Sequence, residues 1–269
     1  MNEAVRAVRD AGDVRAVPGR PADAVGDALL IAIDEAGIPV GARQISAALV
    51  GQGQRLSEST VARRLRQLDA EGLTLQVGGK GRVLTPAGSR AVERLRRTSR
   101  SASLVSASEV HTAQDVLNLL KARRAIEPEA VRDATAHISD AQLTALRKVV
   151  AEHHERARAK ERPPRDIALT FHRLLAAPAQ NPLVQAMIAI VLDDSHDHVE
   201  AALDVILEAH HHSAVSVAEH DSIIEAMAGR DAERAADLMR AHLDRLLEEV
   251  DAFVARYDAE LLERLLRLP

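Results

Sequence analysis

A glycine-tipped hairpin signal constrains the first third of this chain more than any other feature. Two β-like runs, Leu73–Val77 and Arg82–Leu84, flank the turn Gly78-Gly79-Lys80-Gly81, where glycine allows the positive φ angles of a tight turn. A further basic helix follows the second run. Three segments with helical periodicity precede the hairpin, at 22–35, 42–50 and 58–70. This order of elements predicts a winged helix-turn-helix.

The third of these helices can be interpreted face by face. Ser57 is a suitable N-cap, and Val61, Leu65 and Leu68 share one side at 100° per residue, so we expect that side to face the core. The opposite side carries hydroxyl, guanidinium and amide groups that suit base edges and phosphates. The candidate DNA contacts on this helix are Ser59, Thr60, Arg63, Arg64, Arg66 and Gln67, and those on the wing are Lys80 and Arg82.

The charge of the chain is divided unevenly along its length. The net charge is -5, yet the stretch from Arg55 to Arg100 holds eleven Lys and Arg residues against four acidic ones, and all twelve histidines lie at or beyond His111. A basic module followed by a long acidic one is expected if the first alone meets phosphates. Two alternatives stay open: a solvated arginine-rich surface, and a winged helix used only for protein contacts.

The composition favours helix over strand. There is no Trp, one Tyr and two Phe, so strand-forming aromatic residues are scarce and helix formers dominate. The absence of cysteine excludes disulfides and thiolate chemistry, and it suits a cytoplasmic protein. No apolar run approaches the roughly 20 residues of a membrane span, so we expect no membrane partner. Residues 1–21 are expected to be a mobile arm.

The predicted fold class is mainly α, with two modules. Residues 22–98 are assigned to the winged helix with its linking helix, and the serine-rich stretch 99–108 to a polar linker or the frayed end of that helix. Residues 109–269 are predicted to form an antiparallel bundle of about six to seven helices. The expected helices are 109–124, 128–136, 139–160, 165–177, 182–211, 214–228 and 231–257.

The winged-helix motif resembles bacterial repressors. Leu56–Leu65 followed by Leu68–Leu73 is similar to their recognition helix and wing start, with a loose match to the GntR family, whose Pro-Gly opening and Val-Ser-Arg helix start are absent here. The segment Gly81–Gly88 is closer to winged helices of the archaeal nitrogen-repressor type.

The second module carries a more specific resemblance. Its matching stretches are Arg123–Ala130, Phe171–Ala176 with Asn181–Leu183, Glu219–Ala226 and Ala236–Leu243. They occur in the order found in the FCD domain, which is the ligand-binding domain of FadR-type GntR regulators, and the chain resembles that family in this region.

The resemblance implies a metal-dependent ligand site. Three histidines and one aspartate usually hold a divalent metal in such domains, and the histidines correspond to His172, His220 and His242. The aspartate position, one turn before the first histidine, is Ala168 here. The resemblance also implies a small carboxylate effector with Arg123 close to it. Imidazole ligands favour zinc or nickel as the metal. We further expect double-stranded DNA as a partner and a homodimer as the assembly.

Helical spacing bears on the same histidines independently. His220 lies in line with Val217 and Ile224, and His242 with Met239 and Leu246. A buried imidazole needs a partner, which leaves a hydrogen-bonded core histidine or a metal ligand as alternatives.

Another His–Asp pair lies further along the chain. Asp194 and His198 share a stripe four residues apart, so they could supply a replacement ligand, effector contacts or a structural hydrogen bond. The consecutive histidines at 153–154 and 210–212 are expected to lie mostly on the surface.

These observations favour a ligand-controlled transcription regulator over an enzyme. A phosphate-binding glycine loop and a nucleophile elbow are both missing from the sequence. The alternatives are a metal-dependent hydrolytic enzyme, and a structural DNA-binding dimer without effector, which would leave the polar groups in the bundle without a purpose.

Overall fold

The computed structural model describes residues 23–51, 53–159 and 167–267. This part of the chain is helical apart from one two-stranded antiparallel sheet, which confirms the mainly α fold class. The chain divides into two compact units between Leu104 and Val105. The arm expected at residues 1–21 lies outside the described residues. No helix among the described residues has the length and apolar character of a membrane span.

The amino-terminal unit is a winged helix. Its elements are α1 (Ala24–Ala36), α2 (Ala42–Gly51), α3 (Glu58–Ala70), β1 (Thr74–Gln76), β2 (Arg82–Leu84) and the first part of α4 (Pro86–Ser108). The Ser57 side chain accepts a hydrogen bond from the Thr60 backbone N–H and caps α3. Gly37 ends α1 in a left-handed conformation with φ 62°. These stop and start signals are why three short helices form here.

The core of this unit is aliphatic. Val61, Leu65 and Leu68 on α3 are fully buried, as their helical spacing predicted. They pack with the inward faces of α1 and α2. The outer face of α3 is therefore turned towards solvent.

The wing is held at its base by Val40. The strands pair in the register Thr74 to Leu84 and Gln76 to Arg82. Val40 extends this ladder, because its backbone exchanges two hydrogen bonds with Arg82, of 3.1 and 2.8 Å. Gly81 lies beside it with φ 123°, and a Cβ there would sit 2.5 Å from the Val40 backbone. Only glycine fits this close approach without a shift of the chain.

Helix α4 is longer than the sequence indicated. It continues without interruption to Ser108, so residues 99–108 are helical where a polar linker or a frayed helix end was expected. The side chains between 99 and 107 are exposed.

The carboxy-terminal unit consists of eight helices in the described residues and a 3₁₀ turn at Asp194–His196. The helices are α5 (Ala113–His137), α6 (Asp140–Ala159), α7 (Ile167–Ala176), α8 (Pro182–Val191), α9 (Asp197–Ala209), α10 (Ser213–Ala228), α11 (Ala232–Tyr257) and α12 (Ala259–Leu266). Helix α11 packs along α5, α10 packs against α11 and α6, and α7 packs against α6 and α5.

Two helix boundaries predicted from the sequence are wrong. Helices 109–124 and 128–136 are one helix, α5, with Pro128 inside it. An interior proline costs about 3 kcal/mol, and we attribute its tolerance to the apolar burial of α5, where Ala130 and Ala134 are fully enclosed. The predicted helix 182–211 is instead broken after Val191, because Asp193 caps a new turn by accepting a hydrogen bond from the Ser195 backbone.

Two histidines fix the backbone that follows α4. His196 is buried, and its Nε2 lies 2.8 Å from the Ser108 carbonyl oxygen while its Nδ1 lies 3.2 Å from that of Val191. The His198 Nε2 lies 3.0 Å from the Val110 carbonyl oxygen. The 3₁₀ turn and the first turn of α9 therefore hold the start of the carboxy-terminal unit.

Candidate functional site

Three buried histidines from three helices meet inside the carboxy-terminal unit. They are His172 on α7, His220 on α10 and His242 on α11, each no more than 2% exposed. One ring nitrogen from each lies within 4.8 Å of the others. The ring centroids are 5.5, 5.4 and 4.8 Å apart. The packing of α7 and α11 against α5, and of α10 against α11, thus brings together residues up to 70 positions apart in the chain.

Several nitrogens of this cluster have no hydrogen-bond partner. Both ring nitrogens of His220 and Nε2 of His242 are buried without one. Such groups cost a few kcal/mol each unless something satisfies them. The orphaned nitrogens and the all-imidazole donor set fit a divalent cation such as zinc or nickel.

Burial favours the neutral, metal-binding form of His220 and His242. Desolvation lowers the pKa of His220 well below its ordinary value, and the neighbouring His242 and His172 lower it further. Burial also lowers the pKa of His242, although Glu219 opposes the shift. Neutral imidazoles have a lone pair free for a metal ion.

A buried carboxylate supports His172 from behind. The His172 Nδ1 donates to Glu127 Oε2 at 2.5 Å, and Arg123 Nε donates to Glu127 Oε1 at 2.6 Å. Burial by itself would raise the pKa of Glu127, but Arg123 and His172 outweigh it and lower that pKa to about 2. Arg123 Nη1 also donates to Glu200 on α9 at 2.5 Å.

A second carboxylate supports His242 in the same way. The His242 Nδ1 donates to Glu219 Oε2 at 2.7 Å. Arg245 donates to both oxygens of Glu219, at 2.7 and 2.6 Å. Burial would raise the pKa of Glu219, yet the bonds from His242 and Arg245 lower it.

Sequence reasoning did not find the carboxylate partners Glu127, Glu200 and Glu219, nor Arg245. A signal existed for one of them, since Glu127 follows Arg123 by four residues and both lie in the quoted FCD stretch. The partners of His172 and His242 lie 45 and 23 residues away in sequence.

The structure does not bring Asp194 and His198 to the cluster. The helix break after Val191 removes the stripe on which they were predicted to lie together, so neither residue is a replacement ligand in this structure. Of the three alternatives, the structural hydrogen bond is the one found, and only for His198. Asp194 is 85% exposed and pairs with Arg173 at 2.5 Å. His198 bonds the Val110 backbone instead.

The other histidine runs are more buried than expected. His153 is buried, with its ring 6.3 Å from that of His220. His210 and His212 both lie 2.5 Å from the buried Glu249, because the chain turns at His211. The expectation of a mostly surface position is therefore wrong for His153 and His210.

Arg123 is also placed differently from a free effector contact. Its side chain is fully buried between Glu127 and Glu200, which leaves only Nη2 without a partner. Ala168, at the usual aspartate position, is partly buried one turn before His172.

The outer face of α3 divides into exposed and internally paired residues. Ser59, Arg63, Arg66 and Gln67 are exposed, as is Lys80 at the wing tip. Thr60 is half-buried, and the Ser57 Oγ lies within hydrogen-bond distance of Ser59 and Thr60.

Two of the arginines predicted to contact DNA are engaged within the unit. Arg64 pairs with Glu71 at 2.9 Å and also with Asp23. Arg82 pairs with Asp69 at 2.8 Å, and Thr74 donates to the same carboxylate at 2.6 Å. Arg63, Arg66 and Lys80 form no ion pair with any described residue. Among the cations predicted to contact DNA, these three are therefore the ones without an internal partner in the described residues.

Comparisons with known proteins agree with this division of the chain. Residues 118–245 match the FCD domain, which confirms the resemblance drawn from the sequence. Residues 28–92 match the ribonuclease R winged-helix domain, which confirms the winged helix. Among curated proteins none matches the chain.

Several solved structures are similar to the chain at low identity. Streptococcus agalactiae GntR is 20% identical with a TM-score of 0.41, covering 83% of this chain and 98% of its own. A GntR-family transcriptional regulator from Pseudomonas syringae pv. tomato is 18% identical with a TM-score of 0.41, covering 86% and 84%. Lar from Listeria monocytogenes, which controls the expression of the agr system, is 13% identical with a TM-score of 0.45, covering 87% and 99%.

Proposed function

We propose that this chain, whose residues 118–245 match the FCD domain, is a DNA-binding transcription regulator controlled by a small carboxylate. In this proposal the winged helix binds an operator. The FCD domain binds the effector beside a divalent metal ion.

The histidine cluster is the observation that carries the proposal. His172, His220 and His242 lie within the FCD match, and their ligand nitrogens are within 4.8 Å of one another. These residues would hold the ion, with zinc or nickel as the best fit to imidazole ligands. When bound, the ion supplies a positive Lewis-acidic centre to which a carboxylate oxygen can bind. The unpartnered Nη2 of Arg123 supports an anionic ligand nearby.

The exposed surface of α3 supports the DNA-binding part. Arg63 and Ser59 lie in the helix half that usually reaches bases, and Arg66 with Lys80 would contact phosphate. A homodimer would present two such helices to a palindromic operator. The effector changes operator affinity only to the extent that it binds one conformation of the dimer better than the other.

One experiment tests both parts. The purified protein is analysed by native mass spectrometry and elemental analysis for subunit number and metal. An operator is then selected from random duplexes, and its affinity is measured by fluorescence anisotropy with acetate, lactate, succinate and citrate as probes. We expect a metal-containing dimer, an enriched sequence, and at least one acid that changes affinity. Recovery of no enriched sequence would overturn the DNA-binding part, and zinc and nickel binding below stoichiometry would overturn the metal site.

A further inference from the structure

Two similar series of hydrogen-bonded side chains, here called relays, support the histidine cluster. Each consists of an arginine, a glutamate and one of the metal-ligand histidines: Arg123–Glu127–His172 and Arg245–Glu219–His242. We propose that these two relays replace the aspartate that the FCD pattern places at position 168, so that three histidines retain a divalent cation without it. The inference rests on the metal site of the proposed function and deepens it.

The first relay is buried throughout. The side chains of Arg123, Glu127 and His172 are no more than 2% exposed. Both oxygens of Glu127 are occupied, one by Arg123 and the other by His172. Glu127 is therefore a positioning residue, because no oxygen is left over to bind the ion directly.

The second relay repeats the arrangement on α10 and α11. Glu219 is 27% exposed, but the His242 side chain that it holds is only 1% exposed. Arg245 bonds both oxygens of Glu219, one of which also accepts from His242. Both relays thus end on Nδ1 and leave Nε2 of the imidazole for the ion.

A carboxylate that accepts a hydrogen bond from an imidazole changes the metal affinity of that imidazole. When Nδ1–H is donated to a carboxylate, the tautomer and ring orientation are fixed and Nε2 becomes more basic; loss of such a partner commonly costs 10–100-fold in metal affinity. Two such carboxylates would make His172 and His242 stronger donors to the ion, while the arginines balance the charge of the carboxylates themselves. The arginines fix the carboxylates in place.

His220 lacks this support, which makes the cluster asymmetric. Its ring stacks on Phe171 with centroids 3.9 Å apart, and both its nitrogens lack partners. Packing alone orients it. The relays therefore account for how the site can be built although position 168 holds alanine.

The test measures metal affinity with zinc alone, by competition against a fluorescent chelator. The variants are Glu127→Gln, Glu219→Gln, Ala168→Asp and the double variant Glu127→Gln with Ala168→Asp. The matched control is Glu225→Gln, a carboxylate on α10 that is exposed and pairs with Arg147. We expect each relay variant to weaken zinc binding roughly 10–100-fold, and the control to bind as wild type does.

The Ala168→Asp variant tests whether the relays replace the missing aspartate or only hold the histidines in position. If the relays do the work of the missing carboxylate, Ala168→Asp changes the wild-type affinity little but recovers much of the loss in the Glu127→Gln background. Cobalt is the second readout, because its visible absorption reports the ligand field. We expect both relay variants to shift the cobalt bands, which a purely structural role would leave in place.

The outcomes distinguish this inference from the proposed function. Wild-type affinity in both relay variants, or an equal gain from Ala168→Asp in both backgrounds, would overturn the replacement role while leaving the metal site intact. Failure of the wild-type protein to bind zinc or cobalt would overturn both. Circular dichroism of each variant without metal checks folding, and should Glu127→Gln fail to fold, the less buried Glu219→Gln decides the matter.

Discussion

The winged helix and the FCD domain bury different kinds of side chain. In the winged helix the enclosed residues are almost all aliphatic, and arginines such as Arg64 and Arg82 pair at its margin. In the FCD domain Arg123, Glu127 and three histidines are enclosed with the aliphatic core. The first unit thus depends on packed apolar volume. The second depends in addition on matched charges, so the removal of one charge should do more harm there.

The largest expected effect is the loss of a buried charge. Arg123→Ala leaves Glu127 and Glu200 without their common cation, and breaking a buried pair in this way costs about 3–5 kcal/mol. Arg96→Ala removes a half-exposed pair with Asp34 in the winged helix, for which about 0–1 kcal/mol is typical. Urea unfolding of the full chain measures both. Equal losses of unfolding free energy would contradict the comparison.

A backbone position gives the largest effect expected in the winged helix. Gly81→Ala places a Cβ against the Val40 backbone, at a cost of about 1–3 kcal/mol. Gly79→Ala is the control, since Gly79 also has positive φ but open space around it. We expect Gly81→Ala to lower the melting temperature more than Gly79→Ala does. If the order were reversed, the anchoring of the wing by Val40 would be without importance.

The outer face of α3 should affect recognition rather than stability. Arg63→Ala should weaken binding to the selected operator by about 1–3 kcal/mol through loss of a base contact, with a smaller loss on a random duplex. Arg147→Ala, a half-exposed arginine of the FCD domain, should leave operator binding unchanged. Fluorescence anisotropy with both duplexes gives the answer, and equal losses on the two would make Arg63 a phosphate contact.

The smallest expected effect is on the salt dependence of operator binding, which should differ between the two cations of the wing, Lys80 and Arg82. Lys80 is exposed, so Lys80→Ala should lower the slope of log affinity against log salt by about one unit. Arg82→Ala should change the slope less, because Asp69 holds its guanidinium. Its main effect should be looser attachment of the wing to α3. A full unit lost in Arg82→Ala would show that this arginine leaves Asp69 to bind phosphate.

The parts of the fold that periodicity describes were predictable. Val61, Leu65 and Leu68 lie where a period of 3.6 residues places them, and the glycines of the wing marked its turn. The break after Val191 was not visible, because the apolar pattern runs on through Leu192 and the decisive event is a local cap by Asp193. Pro128 caused the opposite error, because a helix boundary was predicted there and none exists. The packing of the long helix α5 outweighs the local preference of proline.

The site was predictable in its ligands but not in their support. His220 and His242 lie on apolar stripes, and family spacing added His172. Glu219 looks like an ordinary helix surface residue in the sequence, and Glu127 is marked only as a possible i,i+4 partner of Arg123. Their roles arise from pairings between separate helices, which no local pattern encodes.

The first turn of α9 has a mechanical consequence. This turn carries Glu200, which accepts a hydrogen bond from Arg123 beside the histidine cluster. It also carries His198, whose Nε2 forms a hydrogen bond with the Val110 carbonyl oxygen, two residues after the end of α4. A helical turn is stiff, so the hydrogen bonds of Glu200 and His198 are held at a fixed distance from each other. One stiff element therefore holds the back of the histidine cluster and the start of the carboxy-terminal unit at a fixed spacing.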